Sequence, residues 1–161
     1  MLGDYNITLT STEKEDLEIL FLFQLDNEGN YLAAFTSKDP SDKAAYIEKY
    51  SRFLTEPTIN MRTIRVENKI VGSISKFVMG TDNEITYWID KEYWGRGIAT
   101  EVLKLFLKIE NNRPIFGRVA FDNFGSQRVL EKADFIKVGA DNGFANARQT
   151  EIEELIYKLS D

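Results

Sequence analysis

The chain has 161 residues, of which 43% are hydrophobic, and a formal net charge of −6. This length is typical of one ordinary domain, and the apolar fraction is large enough for a sizeable core. The chain contains no cysteine and no histidine, which excludes thiol nucleophiles, disulfides, imidazole acid–base chemistry and the usual zinc sites.

The charge and the hydrophobicity pattern also limit the partners. A net negative charge argues against nonspecific nucleic-acid binding. No apolar run approaches the length of a membrane span, and the N-terminus lacks the pattern of a signal peptide. We therefore expect a soluble, cytoplasmic protein with no nucleic-acid partner, no membrane contact and no bound metal.

The N-terminal third predicts one strand and two helices. Residues 6–9 can form a short first strand. Ser11 or Thr12 is expected to cap a helix that carries the apolar run 17–23. A second helix is expected over residues 41–54, with its first residue, a serine, as the N-cap.

The rest of the chain alternates between strand and helix patterns. Three runs of strand type are separated by turns, and the first two of them are joined by a hairpin turn. A helix with a broad apolar face follows, and then a strand, a short helix capped by Asn123, and a closing hairpin with a long exposed connection. The predicted strands are 60–66, 70–77, 84–90, 115–121, 135–138 and 151–159; the helices are 98–109 and 123–132; the turn is 67–69 and the connection is 139–150. This order indicates a mixed α/β fold, neither a doubly wound repeat nor an all-β sandwich.

A glycine-rich turn, WGRGIA at residues 94–99, joins the third of these strand runs to the long helix. The first amides of a helix have no partner within the helix, and the helix dipole is positive at that end. Gly95 and Gly97 lack a Cβ, which lets a ligand approach the backbone. The turn therefore predicts a phosphate site, although a plain tight turn would explain the two glycines equally well.

Two signatures at this spacing resemble those of a known family. The turn is similar to the motif Gln/Arg-x-x-Gly-x-Gly/Ala, with Gly97 and Ala99 in register and Trp94 where Gln or Arg is usual. Residues 123–135 resemble Asn-x-x-Ser-x-x-x-Leu-Glu-Lys-x-Gly-Phe, with Asp134 in place of the glycine. Together they identify the chain as resembling the GNAT superfamily of acyl-CoA N-acetyltransferases.

Within that superfamily the chain looks most like the RimJ/RimL branch of ribosomal-protein N-acetyltransferases. Residues 85–89 resemble the apolar-Gly-Tyr-Trp strand of this branch, with Thr86 in place of the glycine. The resemblance implies a GNAT-type α+β fold over residues 1–161. It has a mixed, mostly antiparallel sheet of six to seven strands, splayed between strands four and five, and about four helices.

The reaction implied by the resemblance is acetyl transfer from acetyl-CoA to a primary amine, by direct attack of the amine on the thioester. The expected acceptor is the N-terminal α-amino group of a protein or peptide, with a small amine as the alternative. The acceptor wall is expected within residues 20–53. No metal is implied, and a homodimer is left open.

The resemblance also implies which residues contact acetyl-CoA. The pyrophosphate is expected to lie over the amides of the glycine turn, and the pantetheine arm is expected to lie along the fourth strand. Residues of the second signature are expected to make further contacts. The implied residues are Trp94, Gly95, Arg96, Gly97, Ile98, Ala99 and Thr100 at the turn, Tyr87, Trp88 and Ile89 on the strand, and Asn123 and Ser126 on the second signature.

Two catalytic roles follow from the resemblance, each with a structural alternative. Ser126 would protonate the leaving thiolate, or would only satisfy the first helical turn. Glu84 would accept the proton of the amine, directly or through water, or would be a carboxylate facing solvent. Asn123 is equally a helix cap, and Tyr87 is expected to pack rather than to act as an acid or base.

Three further interpretations stay open at this stage. Glu153 and Glu154 can recognise a cationic amine or form a solvated face. The chain can also be a catalytically silent CoA-binding protein of the same fold. A nucleotide- or phosphate-binding domain unrelated to CoA is the third interpretation, although the chain has no P-loop motif.

Overall fold

The computed structural model describes residues 5–161, so the first four residues of the expected domain lie outside the described part of the chain. Within that part the chain forms seven strands, five α-helices and a 3₁₀ turn at Lys91–Tyr93. The strands are β1 (Ile7–Ser11), β2 (Asn60–Val66), β3 (Lys69–Met79), β4 (Asp82–Ile89), β5 (Ile115–Ala120), β6 (Ile136–Ala145) and β7 (Thr150–Leu159). The helices are α1 (Asp16–Phe23), α2 (Asn27–Ala33), α3 (Lys43–Phe53), α4 (Ile98–Ile109) and α5 (Phe124–Lys132).

All seven strands form one sheet in the order β1-β2-β3-β4-β5-β7-β6. Every neighbouring pair is antiparallel except β4 and β5, which run parallel. Helices α4 and α5 pack on one face of the sheet, and α1 and α3 pack on the other. The prediction of a mixed, mostly antiparallel sheet is therefore confirmed, with one helix more than expected.

The parallel pair separates partway along its length. Its ladder covers three residue pairs, from Asn83 opposite Ile115 to Ile85 opposite Gly117. Beyond them β4 continues over residues 86–89 and β5 over residues 118–120, with no ladder between these two segments. We call the wedge between them the splay gap. It confirms the predicted splay, and it leaves backbone N–H and C=O groups of two inner strands available to a ligand.

The larger core lies between the sheet and α4. The helix buries Ile98, Val102 and Phe106 at four-residue spacing, which places these side chains on one face. They pack against sheet residues such as Ile85. A second core lies on the opposite face, where Leu17 of α1 meets the apolar side of α3. The two cores hold the sheet from both sides and fix the position of the splay gap.

Helix α2 was missed in the sequence because its residues, NEGNYLA, are poor helix formers. Asp26 caps it by accepting from Gly29 N at 2.7 Å. A Cβ at Gly29 would lie 2.9 Å from the ring of Trp88, so the helix fits here because this residue is glycine. Tertiary packing, rather than local propensity, therefore forms α2.

The predicted caps of the first two helices were wrong. Ser11 ends β1, and the hydroxyl of Thr12 lies 3.0 Å from Thr63 Oγ1 instead of capping α1. Helix α3 is capped by Asp42, whose side chain accepts from Ala45 N at 3.0 Å. In each region several Ser, Thr and Asp residues could serve as the N-cap, and the tertiary structure determines which residue occupies that position.

The expected exposed connection over residues 139–150 was also wrong in extent. Strand β6 continues through a bulge to Ala145 and pairs with β7 along most of its length. Its residues are mostly exposed on both faces, which removes the alternation of polar and apolar residues that marks a half-buried strand. Among the described helices, none has the length and apolarity required to cross a bilayer.

Candidate active site

The glycine turn lies at the start of α4 and is shaped by two left-handed residues. Gly95 has φ 75° and Gly97 has φ 76°, a region that residues with a side chain rarely adopt. Gly97 is the N-cap residue of α4, and no side chain caps this end of the helix. The first intrahelical bond is donated by Glu101 N to Gly97 O at 3.2 Å. The amides of residues 98–100 therefore precede the helical ladder, as an anion site requires.

The space beside this turn is open. A Cβ built on Gly95 would meet no heavy atom within 4 Å. Trp94, which replaces the usual Gln or Arg, turns its ring inward and donates from Nε1 to Ile89 O at 2.9 Å. This bond ties the turn to the last residue of β4. The open side of the turn and the wide end of the splay gap are therefore adjacent.

The side chains of β4 alternate between the two faces of the sheet. Tyr87 and Ile89 belong to the core formed with α4 and α5. Trp88 points to the opposite face, where its Nε1 donates to Phe23 O at 3.1 Å, at the end of α1. The backbone of these three residues borders the splay gap, and Glu84 shares the face of Trp88.

Glu84 is the middle residue of the three-pair β4–β5 ladder, opposite Phe116, and it is 2% exposed. The alternative of a solvent-facing carboxylate is therefore wrong. Its Oε1 lies 3.4 Å from Arg118 Nε, and its Oε2 is buried without a hydrogen-bond partner. Burial raises the pKa of Glu84 above its usual range, and the Arg118 guanidinium offsets part of this effect.

Arg118 is shared by three carboxylates. Besides Glu84, it contacts Glu154 at 3.3 Å and Asp141 at 3.9 Å. We call these four residues the acidic cluster; three carboxylates and one guanidinium give it a formal charge of −2. Burial also raises the pKa of Glu154. Of the two predicted amine-recognition residues, only Glu154 joins this cluster, because Glu153 is exposed on the other face of β7.

The second signature supplies the α5 side of the gap. Asn123 caps α5, as predicted: its Oδ1 accepts from Ser126 N at 3.3 Å. Its Nδ2 donates to Leu32 O at 3.3 Å, which links the cap to α2 on the other side of the sheet. Both polar groups of the Asn123 side chain are therefore engaged in the protein.

Ser126 and Tyr87 are joined by a contact that the sequence did not indicate. Ser126 Oγ lies 3.0 Å from the phenol oxygen of Tyr87. Burial raises the pKa of Tyr87, so the phenol keeps its proton at neutral pH. The two residues are 39 positions apart, and no local pattern connects a strand tyrosine with a serine on a later helix.

A second interaction missed in the sequence holds α2 in place. Arg148, in the turn between β6 and β7, makes a bidentate ion pair with Asp122 at 2.9 Å. Its guanidinium also lies 3.8 Å from the centroid of the Tyr31 ring. The last turn of α2 is thereby attached to the loop that precedes α5.

Comparisons with known proteins identify the family of this chain. A family model described as an acetyltransferase (GNAT) domain matches residues 6–136. The uncharacterized N-acetyltransferase p20 of Bacillus licheniformis is 26% identical over 164 residues, covering 95% of this chain and 92% of that protein. The probable N-acetyltransferase YjcK of Bacillus subtilis (strain 168) is 37% identical over 82 residues, 45% of each chain.

Solved structures share the fold at low sequence identity. The RimL ribosomal L7/L12 alpha-N-protein acetyltransferase in complex with CoA has a TM-score of 0.81 at 15% identity, over 99% of this chain and 96% of that one. The microcin C7 self-immunity acetyltransferase MccE, in complex with acetyl-CoA and AMP, has a TM-score of 0.79 at 19% identity, over 99% and 94%. A spermidine N-acetyltransferase SpeG chimera from Vibrio cholerae and hSSAT has a TM-score of 0.76 at 18% identity, over 93% of each chain.

Proposed function

The chain belongs to the GNAT family of acetyltransferases, and from this premise we propose that it acetylates the N-terminal α-amino group of a protein or peptide. Acetyl-CoA-dependent N-acetyl transfer is the activity of the family; the class of amine and the role of each residue are the proposal. The observation that carries it is the order of three features along β4: buried Glu84 within the ladder, the segment 86–89 that has no ladder to β5, and the open glycine turn that follows the strand.

The residues along this path suit acetyl-CoA. The free amides of residues 98–100 suit the pyrophosphate, and each charge-assisted hydrogen bond there contributes about 1.5–3 kcal/mol. Residues 86–89 pair with β3 on one side and have no ladder to β5 on the other, and this free edge suits the amides of the pantetheine arm. An amide of this segment can also donate to the thioester carbonyl oxygen, where negative charge develops. The thioester supplies the activated acetyl group, and the protein supplies its placement.

Glu84 and Ser126 border the gap from opposite faces of the sheet. We assign Glu84 the role of accepting the proton of the attacking amine, directly or through one water. A raised pKa makes this carboxylate a stronger base near neutral pH than an ordinary glutamate. As the C–N bond forms and the C–S bond breaks, Ser126 donates its hydroxyl hydrogen to the sulfur and recovers a proton from solvent.

The choice of an α-amine is supported by charge and by proton affinity. The acidic cluster, with its formal charge of −2, favours a cationic acceptor near Glu84. The amine must be neutral when it attacks, and an α-amino group has a pKa of about 7.7–8.0, compared with about 10.4 for lysine. At pH 7 the neutral fraction of an α-amine is therefore larger by a factor on the order of several hundred.

The test is thiol release from acetyl-CoA against a panel of amines. One peptide carries a free N-terminus and no lysine, and its matched partner carries a blocked N-terminus and one lysine. We expect faster release with the free N-terminus at pH 7, and slower release with spermidine. Faster turnover of the lysine peptide or of spermidine would contradict the proposal. CoA binding with no turnover of any amine would favour the silent CoA-binding alternative.

A further inference from the structure

We propose that Tyr87 is a positioning residue for this reaction. Its phenol donates a hydrogen bond to Ser126 Oγ and thereby directs the serine hydrogen into the splay gap. This inference rests on the proposed function, in which Ser126 donates to the leaving sulfur. It adds to the reaction a residue that lies outside both signature motifs.

The geometry places the pair across the gap. Tyr87 lies on β4 beyond the last residue pair of the β4–β5 ladder, and Ser126 lies in the first turn of α5. Their oxygens are 3.0 Å apart, a normal distance for a hydrogen bond between hydroxyls. The Ser126 backbone is held by the Asn123 cap at 3.3 Å. With the backbone fixed, the remaining freedom of Ser126 is the rotation of its side chain and hydroxyl.

The chemistry of the two hydroxyls decides the direction of the bond. A phenol is more acidic than an alkyl alcohol and is the better donor, whereas the serine oxygen is the better acceptor. A serine hydroxyl has one hydrogen and two lone pairs. When Ser126 accepts from Tyr87, its own hydrogen stays available for a second acceptor. Ser126 is half-buried, so this hydrogen can point into the gap, where the sulfur of the acyl donor would lie.

Without Tyr87 the serine hydroxyl could rotate freely, and any orientation toward the sulfur would cost entropy during the reaction. The phenol is itself fixed, because Tyr87 packs against the core formed by the sheet with α4 and α5. Two ordered groups from two elements thus hold one hydrogen in place. This is preorganisation of a donor, the kind of arrangement that stabilises developing charge most effectively.

The first test is spectroscopic and needs no amine. The pKa of the bound CoA thiol is measured by titrating thiolate absorbance in the complex, with the desulfo-CoA complex subtracted to remove tyrosine and adenine signals. A donor to the sulfur stabilises the thiolate, so Ser126→Ala should raise this pKa by about one unit. Tyr87→Phe should raise the pKa of the bound thiol by part of that amount. In the double variant, Tyr87→Phe should cause no rise beyond that of Ser126→Ala alone.

The second test is kinetic, with acetyl-CoA varied at a saturating concentration of peptide. We expect Tyr87→Phe to lower kcat about tenfold, the effect of one lost hydrogen bond, and to change KM for acetyl-CoA by less than about twofold. In the Ser126→Ala background the same change should have no further effect. Tyr157→Phe is the matched control, because Tyr157 is a buried core tyrosine whose hydroxyl donates to Glu131 at 3.2 Å rather than to Ser126.

The outcomes separate this inference from the proposed function. If CoA fails to bind, both are overturned. If CoA binds and amines are acetylated, but Tyr87→Phe leaves the thiol pKa and kcat unchanged, only the role of Tyr87 is overturned. A loss of kcat that is equal in the wild-type and Ser126→Ala backgrounds would also overturn it, as would an equal loss in Tyr157→Phe. A loss confined to the background that keeps Ser126 supports it.

Discussion

Substitution of Gly97 by valine tests the phosphate turn most directly. Gly97 has φ 76° and ψ 4°, where a side chain costs about 1–3 kcal/mol of strain, with β-branched residues toward the upper end. A domain has a total stability of roughly 5–15 kcal/mol, so the variant should fold. For a chain of this length, 1 kcal/mol corresponds to about 2–4 °C in Tm. We therefore expect a loss on the order of 5–10 °C.

The effect on ligand binding should be much larger than the effect on folding. The valine side chain would project where the pyrophosphate meets the amides of residues 98–100. The loss of two charge-assisted hydrogen bonds, each about 1.5 kcal/mol or more, corresponds to at least a hundredfold weaker binding, because about 1.4 kcal/mol equals a factor of ten. Isothermal titration with CoA measures this loss, and circular dichroism verifies the fold.

Gly80 offers a matched control for the strain alone. It has φ 65°, and a Cβ there would meet no heavy atom within 4 Å. It lies in the turn between β3 and β4, at the opposite end of β4 from the phosphate turn. Gly80→Val should lower Tm by a similar amount and leave CoA affinity unchanged. If Gly97→Val is folded and binds CoA normally, or if both variants lose affinity equally, the assignment of the phosphate site is refuted.

Two further substitutions address the proposed acid and base. Ser126→Ala should lower kcat about a hundredfold with little change in acetyl-CoA affinity. It should lower the free energy of unfolding by only about 1 kcal/mol, because the cap bond uses the backbone N–H that alanine keeps. An unchanged kcat would mean that Ser126 has only a structural role. Glu84→Gln should remove the rise of the rate with pH that reports ionisation of this carboxyl, and a pH–rate profile identical to the wild type would exclude Glu84 from the mechanism. The same variant should melt at a higher temperature than the wild type at pH 7, with the difference vanishing toward pH 4.5, the ordinary pKa of the group. The sign of this stability difference follows from the raised pKa of Glu84. The folded protein binds this proton more tightly than the unfolded chain does, so stability falls as pH rises through the folded pKa. In the variant, Arg118 keeps Glu154 as an ion-pair partner.

The regular elements and the two signatures could be predicted from local sequence. Helix α4 and strand β2 have the predicted bounds, 98–109 and 60–66, because their apolar residues repeat with a clear helical or strand period. The cap at Asn123 and the hairpin turn at Glu67 and Asn68, both with positive φ, also follow from short-range chemistry. Helix α2 and the full length of β6 could not be predicted, because each depends on a partner distant in the chain.

The sequence by itself determined the family, the glycine turn and the residue types available for chemistry, since motif spacing and composition are local properties. Only the tertiary structure decided how those residues are paired. It buried Glu84 against Arg118, joined Tyr87 to Ser126 and attached α2 through Arg148. These contacts arise between elements far apart in sequence, where strand divergence and packing set the distances. The pKa of each group depends on that environment, so it cannot be read from the residue type alone.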